Sequence, residues 1–182
     1  MNHHDMTRNM VLAALFAALT AIGAFLQIPT GTVPITLQFL FTALAGLLLG
    51  WKWGAISQLL YVGIGLLGLP VFTQGGGIGY VLQPSFGFLL GLIPAAAVIG
   101  ALTARRTGYL TVLAAVLVGD LILYAVGVPY MYLILHVYMQ SAKTFPALLA
   151  AMLVYVPGDT LKIIVVTALA PVLRRTLVKA VP

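Results

Sequence analysis

Residues Val128 to Val156 read VPYMYLILHVYMQSAKTFPALLAAMLVYV, and the number of times this stretch crosses a membrane decides the fold. It is apolar, yet His136, Gln140, Ser141, Lys143 and Pro146 interrupt it. A spanning helix takes about 20 consecutive, mostly apolar residues. The interruptions therefore predict two short helices that do not each cross the bilayer. Upstream, spans are expected over 9–28, 35–50, 54–69, 84–103 and 108–127; downstream, Pro157 opens a last span over 157–173, since proline suits a first helical turn. With six spans, Arg8, Lys52, Arg105, Arg106, Arg174, Arg175 and Lys179 all fall on the side of the N-terminus. Outside the last span, the other side carries only Lys143. The positive-inside rule then puts both termini in the cytoplasm. A further crossing in 128–156 would carry the last basic cluster outside.

Composition agrees. Of 182 residues, 62% are hydrophobic and 7% charged, against about 25% charged in soluble domains. Mean hydropathy is +1.13. Such a chain covers neither a water-facing surface nor the profile of a disordered segment. The expected fold is an all-α integral membrane protein, one transmembrane domain over 1–182. The net charge of +6 reads as topology rather than nucleic-acid binding. Without cysteine there are no disulfides, thiolate metal sites or Cys nucleophiles. His3 and His4 lack a closed ligand set and read as a cytoplasmic tail. There is no GxxxxGK[ST] phosphate loop, so the chain itself has no such ATP site. No nucleophile–base or metal set is visible, and no enzyme is expected.

Three ionisable residues lie at or near membrane depth: Asp120, Asp159 and Lys162. Facing lipid, each costs a few kcal/mol, roughly 2.5–3.5 on insertion scales. Asp159 and Lys162 are three apart and share a helix face in the first turns of the last span. They read either as a small-solute site open to the outside or as an ion pair anchoring the helix end. Asp120 has Tyr124 one turn on; the pair reads as a buried carboxyl bonded to the phenol, or as a relay. The uncharged loop from Pro70 to Ser85 carries Thr73, Gln74, Tyr80, Gln83 and Ser85 among glycines that permit close backbone approach. It is an ordinary outer loop or a site wall. Thr36 and Gln38 are caps or site donors. On the first span, Ala13 and Ala17, and Ala14 and Ala18, make small-xxx-small faces, for internal packing or for a partner protein.

Several motifs in order resemble the BioY family, the biotin-specific S-components of energy-coupling-factor (ECF) transporters. Val33–Gln38 (VPITLQ) resembles that family's PVPITLQ, and Ala45–Gly50 continues it. Tyr61–Phe72 (YVGIGLLGLPVF), Gly75–Ala95 (GGGIGYVLQPSFGFLLGLIPA) and Gly158–Lys162 (GDTLK) resemble three more. Ser85 stands where Thr is usual, and Phe86-Gly87-Phe88 replaces Gly-Gly-Tyr. The resemblance implies a six-helix, S-component-like bundle in a prokaryotic plasma (inner) membrane. It would bind biotin from outside and deliver it with a transmembrane coupling protein and two ATPases, which alone use ATP. The implied biotin-site residues are Asp159, Lys162, Tyr80, Gln83, Ser85, Thr36, Gln38 and Gln74, with Ala13, Ala14, Ala17 and Ala18 as the docking face. No cofactor is expected beyond the ligand itself. The alternative is a stand-alone or ion-coupled carrier for biotin or a related vitamin, with Asp120 as the coupling carboxylate.

Overall fold

A computed structural model describes residues 3–30, 33–105 and 108–179. Its helices are α1 (His3–Phe25), α2 (Gln38–Leu66), α3 (Phe86–Leu102), α4 (Tyr109–Leu133), α5 (Phe145–Ala151) and α6 (Val156–Lys179). A two-residue hairpin, β1 (Gln27–Ile28) against antiparallel β2 (Ile35–Thr36), joins α1 to α2. Of the expected basic positions, Arg106 lies outside the described residues, as do the side chains of His3, His4, Arg175 and Lys179.

The helical run α2 is two antiparallel limbs folded at Gly50, where φ is 78° and ψ 178°. That backbone region is open essentially to glycine alone. Contacts across the fold prove the reversal. A Cβ on Gly54 would lie 2.8 Å from the Cα of Gly46. Thr42 Oγ1 donates to Gln58 Oε1 at 2.9 Å, and Gln38 Nε2 donates to Tyr61 at 2.7 Å. In one straight helix, Gln38 and Tyr61 would lie about 35 Å apart at 1.5 Å per residue. The two limbs are thus the expected second and third spans. With α1, α3, α4 and α6 they make six transmembrane passes. Among the described residues, four helical runs, 5–25, 38–66, 109–138 and 156–174, are long and apolar enough to cross a membrane, and 86–102 is a shorter apolar helix.

The stretch 128–156 departs from its expected form. Its first part is no separate short helix: α4 runs through Pro129 and continues as a π-helical turn over Ile134–Tyr138. Proline is tolerated inside membrane helices because neighbours satisfy the freed backbone groups. Only the second part is a short helix, α5, extended by a 3₁₀ turn over Met152–Val154. It packs beside α4 without crossing.

Neighbouring helices pack in the order α1, α2, α3, α4, and α6 closes against α4 and α2. Their basic ends meet. Arg174 near the end of α6 donates from Nε to Leu47 O at 3.1 Å and from Nη2 to Thr103 O at 3.3 Å. One cation thereby serves carbonyls in the last turn of the first α2 limb and just past α3, where helix dipoles favour positive charge. Within the bundle, Gln58 joins three helical segments. It accepts from Thr42 and donates to Ser57 at 3.0 Å and to Thr20 of α1 at 3.3 Å. All four side chains are fully buried.

Candidate functional site

The end opposite Arg174 holds a cavity of about 600 Å³, its open mouth included. The β1–β2 link supplies Val33, Pro34, Ile35 and Thr36; α2 supplies Gln38 and Phe39. The 67–85 loop gives Thr73, Tyr80 and Ser85, and α3 gives Phe88, Leu89 and Leu92. Leu123 and Tyr124 come from α4, with Tyr155, Asp159 and Lys162 beside and along α6.

Asp159 and Lys162 are 6% and 7% exposed, so burial forces them to find partners. Lys162 Nζ lies 2.6 Å from Asp159 Oδ1. Tyr124 donates its hydroxyl to Asp159 Oδ2. This corrects the expected Asp120–Tyr124 pair. The two side chains share a helix face, but the longer phenol reaches across to α6. Asp159 is thus held at both oxygens, while each oxygen keeps a further lone pair. Lys162 has three donors, of which Asp159 takes one.

The polar wall is linked. Thr36 Oγ1 donates to Gln38 Oε1 at 2.9 Å, and Tyr61 passes the chain on to Val71 O at 3.1 Å. Tyr80 bonds Thr73 at 2.8 Å and Ser85 at 3.3 Å. The loop bearing them is pinned by aromatic packing: Phe72 is fully buried, 5.5 Å from the Tyr61 ring and 4.6 Å from Tyr80. Gly65 near the end of α2 lets Phe72 fold in, for a Cβ there would lie 2.1 Å from that ring. On the far side, Tyr155 donates to Val33 O and bonds Thr30 Oγ1 at 2.8 Å, closing the first loop onto the start of α6.

Six of the eight expected binding residues meet here: Asp159, Lys162, Tyr80, Ser85, Thr36 and Gln38. Two do not. Gln74 is exposed, carried outward ahead of the left-handed turn at Gly75 (φ 110°). Gln83 precedes Pro84, which holds it extended (φ −81°, ψ 136°) and away from the cavity. Sequence reasoning missed Tyr155, whose signal was a phenol two residues before Pro157. It also missed the apolar wall of Phe39, Phe88, Leu89, Leu92 and Leu123, which resembles any lipid-facing run.

The expected docking face divides. Ala13 and Ala17 are buried, 0% and 5% exposed, while Ala14 and Ala18 face outward. Successive helix positions are about 100° apart, so the two pairs do not share a face. Ala13 and Ala17 are internal packing residues. Among the described residues no group of three or more His, Cys, Asp or Glu is placed to hold a metal.

The BioY family model matches residues 1–179. A probable biotin transporter BioY of Lysinibacillus sphaericus is 54% identical over 76% of this chain and 72% of its own length. The biotin transporter BioY of Thermotoga maritima is 35% identical over 90% and 94%, respectively. That of Rhodobacter capsulatus is 40% identical over 88% and 90%. A crystal structure of the S-component for biotin from an ECF-type ABC transporter superposes with a TM-score of 0.84 at 30% identity, covering 96% of this chain and 95% of that one.

Proposed function

The chain belongs to the BioY family, and on that premise we propose that it binds biotin in the cavity beside Asp159 and Lys162 as the S-component of an ECF transporter. The observation that carries this reading is the buried Asp159–Lys162 pair at the mouth-side end of a bundle that superposes on a biotin S-component. The chemistry agrees. Biotin offers two ureido N–H donors, a carbonyl acceptor, an apolar thioether ring and chain, and a carboxylate. Asp159, oriented by Tyr124 and Lys162, accepts ureido N–H groups. Lys162 donates to a ligand oxygen with a free N–H. Thr36, Gln38, Tyr80 and Ser85 supply polar wall contacts, while Phe88, Leu89 and Leu92 remove water from ring and chain.

The whole chain, 1–182, acts as one transmembrane domain in a prokaryotic plasma membrane. Its partners are a transmembrane coupling protein and two ATPases. ATP is used by those subunits alone, and biotin leaves unchanged, so the chain is not an enzyme. Ala14 and Ala18 on the outward flank of α1 form the docking face. The ion-coupled carrier is not favoured, since the relatives and the structural neighbour point to the S-component. The test is biotin binding by calorimetry to the detergent-purified parent and to Asp159→Asn and Lys162→Ala. Tight parental binding with at least a tenfold loss in each variant, about 1.4 kcal/mol, supports the site. No binding by a folded parent overturns the ligand; binding untouched by both changes overturns the site.

A further inference from the structure

Lys162 is 7% exposed, and its ammonium has three N–H donors. Asp159 Oδ1 takes one at 2.6 Å, and on the biotin reading a second faces the ligand. The third needs an acceptor, because a buried ammonium short of partners is costly. Among the described residues, Asp120 Oδ1 is a buried side-chain oxygen that accepts no hydrogen bond.

Register places that oxygen against Lys162. Tyr124 of α4 bonds Asp159 of α6, and the two helices run in opposite directions. Toward the basic end, four residues back along α4 lead from Tyr124 to Asp120, about 6 Å along the axis. Three residues on along α6 lead from Asp159 to Lys162, about 4.5 Å. Tyr124 faces α6, and Asp120 shares its helix face. The charged groups acting on Asp120 are Asp159 and Lys162, both on α6. Lys162 lines the cavity and Asp120 does not. The orphan oxygen thus lies behind the ammonium, on the side away from the ligand. Among the described residues Lys162 pairs directly with Asp159 alone. A cation and an acceptor just beyond contact are commonly linked by one ordered water.

We propose that Asp120 is a positioning residue: its Oδ1 holds the Lys162 ammonium from behind, through one bridging water, and keeps another N–H aimed into the cavity. Asp120 itself touches no ligand and acts through Lys162. The inference rests on the biotin reading for what that N–H meets, and on the bundle alone for the link between the two side chains.

The experiment is a double-mutant cycle on biotin affinity, read by calorimetry on the full chain in detergent. Its corners are the parent, Asp120→Ala, Lys162→Met and the double variant; Lys162→Met keeps the length of the stem and loses the donors. Asp120→Ala is expected to bind about tenfold more weakly than the parent, as fits loss of a bond to a charged group. In the Lys162→Met background the same change is expected to cost nothing further. Asp120→Asn, which keeps an acceptor oxygen, should recover part of the loss. An equal loss in both backgrounds marks a merely structural role and overturns the proposal, as does parental affinity in Asp120→Ala. A crystal structure of the parent at a resolution that shows ordered water reads the link without any variant. A water bonded to both Asp120 Oδ1 and Lys162 Nζ supports it; an Oδ1 bonded elsewhere, or to nothing, overturns it. Failure of the parent to bind biotin strikes at the biotin reading, while the crystal structure still decides the link, which keeps the two failures distinct.

Discussion

Tyr124 on α4 donates its hydroxyl to Asp159 on α6, so the carboxylate of the ion pair is oriented by a helix that does not carry it. Removing that oxygen tests orientation apart from charge. Tyr124→Phe keeps the ring, which packs edge-on to Phe88 at 6.0 Å. A hydrogen bond to a charged group is worth about 1.5–3 kcal/mol. The variant is expected to fold and to bind biotin roughly tenfold more weakly, as read by calorimetry.

Tyr155→Phe breaks the bonds to Val33 O and Thr30 while leaving the wall in place. The first loop then loses its tie to α6. Biotin is expected to dissociate several-fold faster, measured by chase of labelled ligand. An unchanged dissociation rate would show that this tie does not retain the ligand.

Arg174→Ala removes the cation shared by Leu47 O and Thr103 O at the basic end. Half-buried bonds to a charged donor cost about 1–3 kcal/mol when lost. The thermal unfolding temperature in detergent should fall, with biotin affinity within twofold of the parent because the cavity lies at the other end.

Gly50→Ala places a side chain in a backbone region that costs about 1–3 kcal/mol for other residues. A lower unfolding temperature is expected. Gly63→Ala serves as its control: it sits in a helix, meets nothing within 4 Å, and should be neutral or stabilising by up to about 1 kcal/mol.

Ala14→Trp combined with Ala18→Trp fills the outward flank of α1. Biotin binding by the purified chain should stay at the parental level. Uptake into cells that also make the coupling module should drop at least tenfold. Loss of binding would place these alanines inside the fold's own packing instead.

Much of this is legible in the sequence. The basic residues Arg8, Lys52, Arg105 and Arg174 mark one end, and sidedness follows from charge without knowledge of packing. Asp159 and Lys162 stand out because ionised groups in lipid need a reason to be there. What stayed hidden has a common cause. In a membrane, helices are apolar on faces that meet lipid and on faces that meet protein, so periodicity does not separate Phe88 or Leu92 from their lipid-facing neighbours. For the same reason α4 ran past Gly127 without a sequence signal, because its continuation to Tyr138 is as apolar as its core. Spacing showed that Asp120 and Tyr124 share a face, but not that the phenol outreaches the carboxyl and bonds another helix. The exposure of Gln74 depended on the φ of Gly75, which composition does not specify.

The bonds around Gln58 bear on how the chain is made. A lone glutamine held against acyl chains is an unstable guest, and Gln58 finds its partners in Thr20, Thr42 and Ser57. All of these precede it in the order of synthesis. When the second limb of α2 leaves the ribosome, its acceptors and donors already wait in the bilayer. The first third of the protein can thus settle as a preassembled corner, onto which the later helices, Asp159 and Lys162 among them, are laid down last.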